Sequence, residues 1–478
     1  MGDVIKRFKS TGRAVSLFPH TARVDLHGKL VDRVYAGEQN LADGCQCYDA
    51  SLKRVKRFSI QNNRSHNSCV TVDLGESRAF NTITLFERGK SVTLFSIYAS
   101  DSLRSGYELI YQGDTIENGR VCYVGNVRYR YLRIFVVQSS GSFRVCGLGV
   151  YNLKNDAAPD FRVTAYAVAD SITSDMDFSM LDGVTDLILF GMAHLSERGE
   201  IEFFDGNGNR TDAASYEEKL KLLRNAIGSR DIRIVVDPHL PHGKGNSATH
   251  SMMTDYLAET VANIRAFVEK YDFAGYDIDY EYPACTDEWV AFNDFLRAVK
   301  QAMPDRILSV AASPWKIRFD RDVLRMLDRV ELMTYDIFDT HGYHSPFPGT
   351  ANGVERLMSV GFRREQIDIG VPFYSRPVNA IEYWGSYPRY ADRVGRYNNL
   401  IYDNTFDDAG APLTAPQYFN SRQMIADKTA FALDAGVGGI MVWHMTYDVP
   451  YSHRFSLFRA IQDTLREKTG TDKGAYSR

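Results

Sequence analysis

The chain has 478 residues, of which 44% are hydrophobic and 24% charged, as is ordinary for a globular protein. No run of 18 or more apolar residues occurs, so the sequence predicts no membrane-spanning helix. The net charge of −4 is uneven: residues 1–155 carry 22 Lys and Arg against 13 Asp and Glu, whereas the remainder carries 34 against 47. This asymmetry and the length predict two domains, 1–155 and 156–478. The basic first domain could favour anionic glycans, although a solvated surface is the simpler explanation, and no nucleic-acid partner is expected.

Residues 1–155 show short apolar or alternating segments separated by polar turns. Their spacing of about ten residues is typical of an antiparallel all-β sandwich, and no useful stretch has a helical period. The predicted strands cover residues 68–75, 81–86, 95–100, 130–137 and 145–151.

The order of several short motifs in this region resembles a discoidin-type, galactose-binding-like domain with a jelly-roll fold. They are Asn40-Leu41-Ala42-Asp43-Gly44, Val72-Asp73-Leu74-Gly75, Tyr98-Ala99-Ser100-Asp101 and Arg130-Tyr131-Leu132-Arg133-Ile134. The resemblance implies a possible carbohydrate-binding module. Residues 1–155 contain no Trp, the usual sugar-stacking residue, although Tyr could serve. Glycan binding and packing against the second domain both remain open.

From about residue 156 onward, apolar runs alternate with segments of helical period. Eight such runs predict the eight strands of a (β/α)8 TIM barrel, whose active site lies at the C-terminal ends of its strands. The predicted strands cover residues 161–168, 185–192, 232–237, 273–281, 306–312, 329–335, 367–373 and 439–443. The predicted helices cover residues 216–227, 253–270, 287–303, 322–327, 353–360, 421–435 and 453–466.

The fourth predicted barrel strand carries a row of acids, Asp277, Asp279 and Glu281. Alternate residues of a strand share a face, so these three carboxyl groups point the same way. Their mutual repulsion and burial raise at least one pKa, which keeps a proton available for general acid catalysis. A calcium loop would require Gly, Asn or Ser at turn positions, and an acidic edge strand would not have an apolar opposite face. Both alternatives therefore fit less well than a catalytic row.

This stretch resembles family 18 glycoside hydrolases, whose signature D-G-x-D-x-D-x-E is matched from Gly275 to Glu281, with Ala274 in place of the first Asp. Three later motifs of the family also occur in order: Met333-Thr334-Tyr335-Asp336, Gly370-Val371-Pro372-Phe373-Tyr374 followed by Arg376, and Gly438-Gly439-Ile440-Met441-Val442-Trp443. One departure is strand three, which ends Val235-Val236-Asp237-Pro238-His239 where the family has S-x-G-G.

The resemblance implies a retaining, substrate-assisted hydrolysis through an oxazolinium ion, with no metal or cofactor. It implies that Glu281 is the acid/base and that Asp277 tunes the proton shared along the row. It further implies that Asp279 holds the acetamido N–H of the substrate and that Tyr335 holds the acetamido group. Residues expected to contact the substrate are Asp336, Met333, Trp443 and Tyr374. His239 and His242 lack further ligands, so no metal site is predicted.

The implied substrate is a β-1,4-linked N-acetylglucosamine polymer of the chitin type. The alternative is an endo-β-N-acetylglucosaminidase acting on N-glycans; a non-hydrolytic sugar-binding protein is disfavoured because Glu281 is present. The segment 377–420 is short, which predicts a shallow groove. The chain is expected to be secreted or on the cell surface, although no apolar signal segment follows the basic residues 1–13.

Overall fold

The computed structural model describes residues 29–62, 68–155, 161–241, 246–378, 385–402, 410–413 and 415–470. The first element among the described residues is helix α1, Lys29–Tyr35, so the expectation that the first region lacks a helix was wrong. Strands β1 to β8 then follow: Gln46–Asp49, Arg54–Val55, Ile60–Gln61, Cys69–Arg88, Val92–Ser100, Glu108–Gly113, Arg120–Ser139 and Arg144–Tyr151.

These eight strands form one antiparallel sheet, because β4 and β7 are each 20 residues long and pair with several neighbours. The expected separate strands at 68–75 and 81–86 are a single strand. The chain passes through Gly75 with a positive φ of 86°, and its pairing with β7 resumes at Arg78 opposite Tyr129. A glycine tolerates this conformation, so it bends the strand without ending it. The discoidin-type sandwich remains a prediction.

The second region contains a closed barrel of eight parallel strands, which confirms the predicted TIM barrel. Closure occurs where β9 pairs with both β10 and β21. A short strand, β11, Ile201–Phe203, pairs antiparallel with the C-terminal end of β10. The barrel strands in order are β9 Arg162–Val168, β10 Asp186–Leu195, β12 Arg233–His239, β13 Gly275–Asp279, β14 Ile307–Ala312, β15 Arg329–Leu332, β16 Ile367–Pro372 and β21 Gly439–Trp443.

The helices of this region largely follow the predicted order. One difference is the segment 253–270, which is two helices separated at residues 254–256. Another is the helix predicted over 287–303 with Asp287 as its cap, which begins at Thr286 with Cys285 as the N-cap residue and has Asp287 in its first turn. The helices are α2 Ala213–Ile227, α3 Ser247–Met253, α4 Leu257–Lys270, α5 Thr286–Ala302, α6 Arg321–Met326, α7 Phe347–Val360, α8 Ala391–Val394, α9 Arg422–Ala435 and α10 Leu457–Thr469.

Between barrel strands β16 and β21 the chain forms a small four-stranded antiparallel sheet. Its order is β18-β17-β20-β19, and it flanks the mouth of the barrel. Its strands are β17 Tyr374–Pro377, β18 Gly385–Ser386, β19 Leu400–Ile401 and β20 Gln417–Tyr418. Residues 379–384, 403–409 and 414 of the segment 377–420 lie outside the described residues, and the shallow groove remains a prediction.

The antiparallel sheet of the first region packs directly on the barrel through buried polar contacts. Arg120 on β7 is ion-paired with Asp427 on α9 at 3.1 Å, and Tyr111 donates its hydroxyl to the same carboxylate at 2.6 Å. Asp114 accepts a hydrogen bond from Asn399 of the small sheet at 2.7 Å. These contacts bring the first region against the barrel, which was one of the two alternatives, and glycan binding by this region stays a prediction. The division at residue 155 remains a prediction.

The described residues contain neither a candidate membrane-spanning helix nor a candidate metal-binding cluster. No helix among them is long and apolar enough to cross a membrane. They also contain no group of three or more His, Cys, Asp or Glu side chains that could hold a metal ion. His242 lies outside the described residues.

Candidate active site

The acidic row lies at the C-terminal end of β13, inside the mouth of the barrel. Asp277 is fully buried; its Oδ2 accepts a hydrogen bond from the Tyr166 hydroxyl at 2.7 Å, and its Oδ1 accepts one from the Ser309 hydroxyl. Asp279 is half-buried, and its Oδ1 has no hydrogen-bond partner. Glu281 follows two residues after the end of the strand and reaches solvent. The row therefore runs from the barrel interior to an open surface.

Burial is the main cause of unusual ionisation along this row. Burial raises the pKa of Asp277, while hydrogen bonds from Ser309 and Tyr166 oppose that rise. The pKa of Asp279 is raised well above its usual value by burial and by the charges of Glu281 and Asp277. Ionisation of one carboxyl group in such a row opposes ionisation of the next, so the three groups titrate together and not independently.

Glu281 keeps a raised pKa although it reaches solvent. The surrounding protein removes part of its hydration, and the charge of Asp336 adds to the effect. A hydrogen bond with Tyr282 and the charge of Arg376 act in the opposite direction. A carboxyl group with a raised pKa at an accessible position is suited to donate a proton to a bound molecule.

Asp336 follows β15 and is held by three side chains. Arg376 donates from Nε to Oδ1 at 2.7 Å and from Nη2 to Oδ2 at 2.6 Å, and the Tyr374 hydroxyl donates to Oδ1 at 2.9 Å. Nε2 of His344 lies 3.2 Å from Oδ1 of the same carboxylate and 2.9 Å from the backbone nitrogen of Asp336. Burial opposes ionisation, but His344 and Arg376 hold the pKa of Asp336 well below its usual value. Asp336 is therefore a fixed negative charge.

The remaining predicted residues form an aromatic and apolar cluster beside the row. Trp443 is half-exposed, and its ring lies 5.1 Å from that of Tyr166. Tyr335 is largely buried, and the charges of Asp279 and Glu281 add to burial in raising its pKa well above the usual value. Tyr374 and Met333 are buried in the same cluster. Of these four predicted residues, Trp443 is the one with a partly exposed side chain. The hydroxyl of Tyr374 donates a hydrogen bond to Asp336.

Sequence reasoning did not assign several residues that build this site. Tyr166 and Ser309 lie on β9 and β14 and hold Asp277, and His344 comes from the loop after β15. No local motif marks them, because their role depends on pairing between distant strands. Asp237 at the end of β12 could have been found, since its position in the third strand places it on the inner face.

Residues 162–448 match the family described as Glycosyl hydrolases family 18. Probable chitinase 2 of Drosophila melanogaster is 23% identical over 243 residues, which cover 39% of this chain and 50% of that protein. The Endochitinase of Brugia malayi is 25% identical over 232 residues, which cover 41% of this chain and 44% of that protein. Probable chitinase 10 of Drosophila melanogaster is 25% identical over 43% of this chain, and the match spans only 12% of that protein. The chain thus spans half or less of the length of these relatives.

Two solved structures share the fold. A chitinase from Bacteroides thetaiotaomicron superposes with a TM-score of 0.52 at 18% identity, over 65% of this chain and 99% of that one. The Ostrinia furnacalis Group IV chitinase in complex with allosamidin also has a TM-score of 0.52 at 18% identity, over 65% of this chain and all of that one. At this identity the similarity establishes the barrel fold alone.

Proposed function

The chain belongs to glycosyl hydrolases family 18, and from this membership we propose that it is a retaining glycoside hydrolase acting on β-1,4-linked N-acetylglucosamine polymers. The observation that carries the proposal is the acidic row at the barrel mouth, which ends in the accessible Glu281. The names of the relatives, which are chitinases, support the choice of a chitin-type substrate.

Glu281 acts as the general acid in the first step. It transfers its proton to the glycosidic oxygen while the bond from that oxygen to the anomeric carbon breaks. The carbonyl oxygen of the substrate's own 2-acetamido group attacks the same carbon, which forms an oxazolinium ion. The raised pKa of Glu281 supports this role, because the carboxyl group must still hold a proton when the substrate binds.

Asp279 and Asp277 support the positive charge of this intermediate. The carboxylate of Asp279 accepts the acetamido N–H as the oxazolinium forms, and Asp277 moves the shared proton along the row. The unpartnered Oδ1 of Asp279 supports this assignment, because a buried acceptor without a protein donor can receive one from a ligand. Glu281, now ionised, then takes a proton from water, which opens the ring with retention.

The surrounding residues orient the sugar. The hydroxyl of Tyr335 holds the acetamido group, Asp336 contacts a neighbouring sugar, and the half-exposed ring of Trp443 forms the apolar floor. Met333 and Tyr374, both buried, shape this floor from below. We also propose that the first region is a discoidin-type domain whose main role is to pack on the barrel, and that the protein is secreted or on the cell surface.

Three substrates test the proposal. A fluorogenic chitobioside should be hydrolysed, whereas the same compound with free amines in place of the acetamido groups should not, because the internal nucleophile is missing. Ribonuclease B, which carries an N-glycan, should keep its glycan. Loss of the glycan without hydrolysis of the chitobioside would replace the proposed substrate by an N-glycan, and equal turnover of the free-amine compound would overturn the mechanism.

A further inference from the structure

Asp237 lies beside the acidic row on the neighbouring strand. Strands β12 and β13 are parallel and pair Val235 with Gly275 and Val236 with Tyr276, so the next position brings Asp237 beside Asp277. The backbone N–H of Asp279 lies near the Asp237 carboxylate and favours its ionised form. Asp237 therefore contacts the segment that carries the proposed catalytic groups.

The side chain of Asp237 is almost completely buried, with 2% exposure, and its Oδ2 has no hydrogen-bond partner. A buried carboxyl oxygen without a donor is costly, typically by about 1–3 kcal/mol. Asp237 lies in the segment Val235-Val236-Asp237-Pro238-His239 that ends strand three, where the family has S-x-G-G. A carboxyl group in such an unfavourable place adjacent to the row points to a role in the site.

Two ionisable neighbours dominate the surroundings of Asp237. Burial and the charges of Asp277 and Asp279 raise its pKa well above the usual value. The titratable groups whose charges interact with Asp237 are Tyr166 on β9 and Tyr276, Asp277 and Asp279 on β13. His239 follows two positions later on β12, and its ring lies 4.7 Å from that of His194 on β10. The three carboxyl groups form one buried cluster that shares a limited number of protons.

We propose that Asp237 is a positioning residue of this site, which fixes the backbone at Asp279 and shares the proton and negative charge of the acidic row. This inference rests on the proposed hydrolase function. Asp237 then does not touch the substrate but acts through Asp279 and, along the row, through Glu281.

The first consequence concerns the pH dependence of hydrolysis. Asp237→Asn keeps an oxygen that can accept the Asp279 N–H but removes the carboxyl charge. With less negative charge nearby, the remaining acids lose their protons more readily, so the alkaline limb of the kcat/KM profile should move to lower pH by about half a unit or more. Asp237→Ala, which also lacks the acceptor, should lower kcat further than Asp237→Asn does. The exposed Asp231→Asn, in the loop before the same strand, should leave the profile unchanged.

A second measurement does not depend on activity. The pKa of Asp237 in the folded protein is raised above its unfolded value of about 3.9. The wild-type fold therefore loses stability as the pH rises from the unfolded pKa toward the folded pKa. The variant Asp237→Asn has no titratable carboxyl group at this position, so its stability does not show that loss. The difference in Tm, variant minus wild type, should therefore increase between pH 4 and pH 7, whereas for Asp231→Asn it should stay flat.

The two readouts separate this inference from the function it rests on. If the wild type does not hydrolyse the chitobioside, the proposed function fails, and the pH dependence of the Tm difference alone decides whether Asp237 shares the buried charge. If the wild type is active, an unmoved alkaline limb or a Tm difference that is the same at every pH overturns the proposal. A moved limb together with a rising Tm difference supports it.

Discussion

The hydroxyl group of Tyr166 on β9 donates a hydrogen bond to Oδ2 of Asp277 on β13 at 2.7 Å, inside the closed barrel. This bond stabilises the ionised form of a fully buried carboxyl group. It links the first barrel strand to the strand that carries the acidic row.

Tyr166→Phe removes this donor without changing the shape of the ring. A hydrogen bond to a buried charged group contributes about 1.5–3 kcal/mol, so we expect lower stability near neutral pH and a fall in kcat through the altered proton balance of the row. Both are measured by urea unfolding and steady-state hydrolysis. Tyr216→Phe is the matched control, because the buried Tyr216 hydroxyl has no partner. Equal effects of the two changes would contradict the assignment.

Asp336→Asn tests the electrostatic link between Asp336 and Glu281. The charge of Asp336 helps to raise the pKa of Glu281, and Arg376 beside it, whose charge lowers that pKa, would remain. Both changes favour ionised Glu281, so the alkaline limb of the kcat/KM profile should shift to lower pH. A shift to higher pH, or none, would show that Asp336 does not act on the acid.

Asp186 on β10 has the opposite pH dependence to Asp237. The Asp186 carboxylate is fully buried and forms ion pairs with Arg329 at 2.9 Å and Arg233 at 2.8 Å. Burial opposes its ionisation, but these two cations lower its pKa below the usual value. A lowered folded pKa contributes stability above the unfolded value of about 3.9, which is lost as pH falls through the folded pKa. Asp186→Asn should cost about 3–5 kcal/mol at pH 7, as for a broken buried ion pair. That cost should shrink in acid, and a cost independent of pH would refute the interpretation.

The packing of the first region on the barrel is tested at Arg120 and Asp427. Burial raises the pKa of Asp427 to about 6 even though Arg120 lies beside it. Arg120→Met leaves this carboxyl group buried without its cation, and we expect a loss of about 3–5 kcal/mol in the free energy of unfolding.

The double variant Arg120→Met, Asp427→Asn should recover much of that loss, because the uncompensated charge is gone while the amide oxygen still accepts the Tyr123 N–H and the amide nitrogen donates to the Tyr111 hydroxyl. Chemical denaturation of both variants measures the recovery. Additive losses would mean that the two residues do not stabilise the contact between the sheet and the barrel as a pair.

The barrel and the acidic row could be predicted because their signals are local. Hydrophobic periodicity gives eight strands in order, and Asp277, Asp279 and Glu281 occupy alternate positions of one short segment. Two errors came from equally local reasoning: Gly75 bends β4 without ending it, and β13 ends at Asp279, two residues before Glu281.

The partners of the row could not be predicted in the same way. Tyr166 meets Asp277 only because β9 and β13 belong to one closed barrel, and Arg376 reaches Asp336 from a strand about 40 positions further along the chain. The positive φ of 55° at Asp336 is likewise set by contacts with His344 and Tyr374. Such long-range contacts leave no pattern in a short window of sequence.

The most direct measurement is the hydrolysis of a fluorogenic chitobioside by Glu281→Gln. The substitution keeps the size of the side chain but removes the transferable proton, and Glu269→Gln, on the exposed face of α4, is the matched control. We predict that Glu281→Gln lowers kcat by about a hundredfold or more, while Glu269→Gln retains full activity and both proteins keep the wild-type Tm within a few degrees. Near-normal turnover by Glu281→Gln would contradict the account.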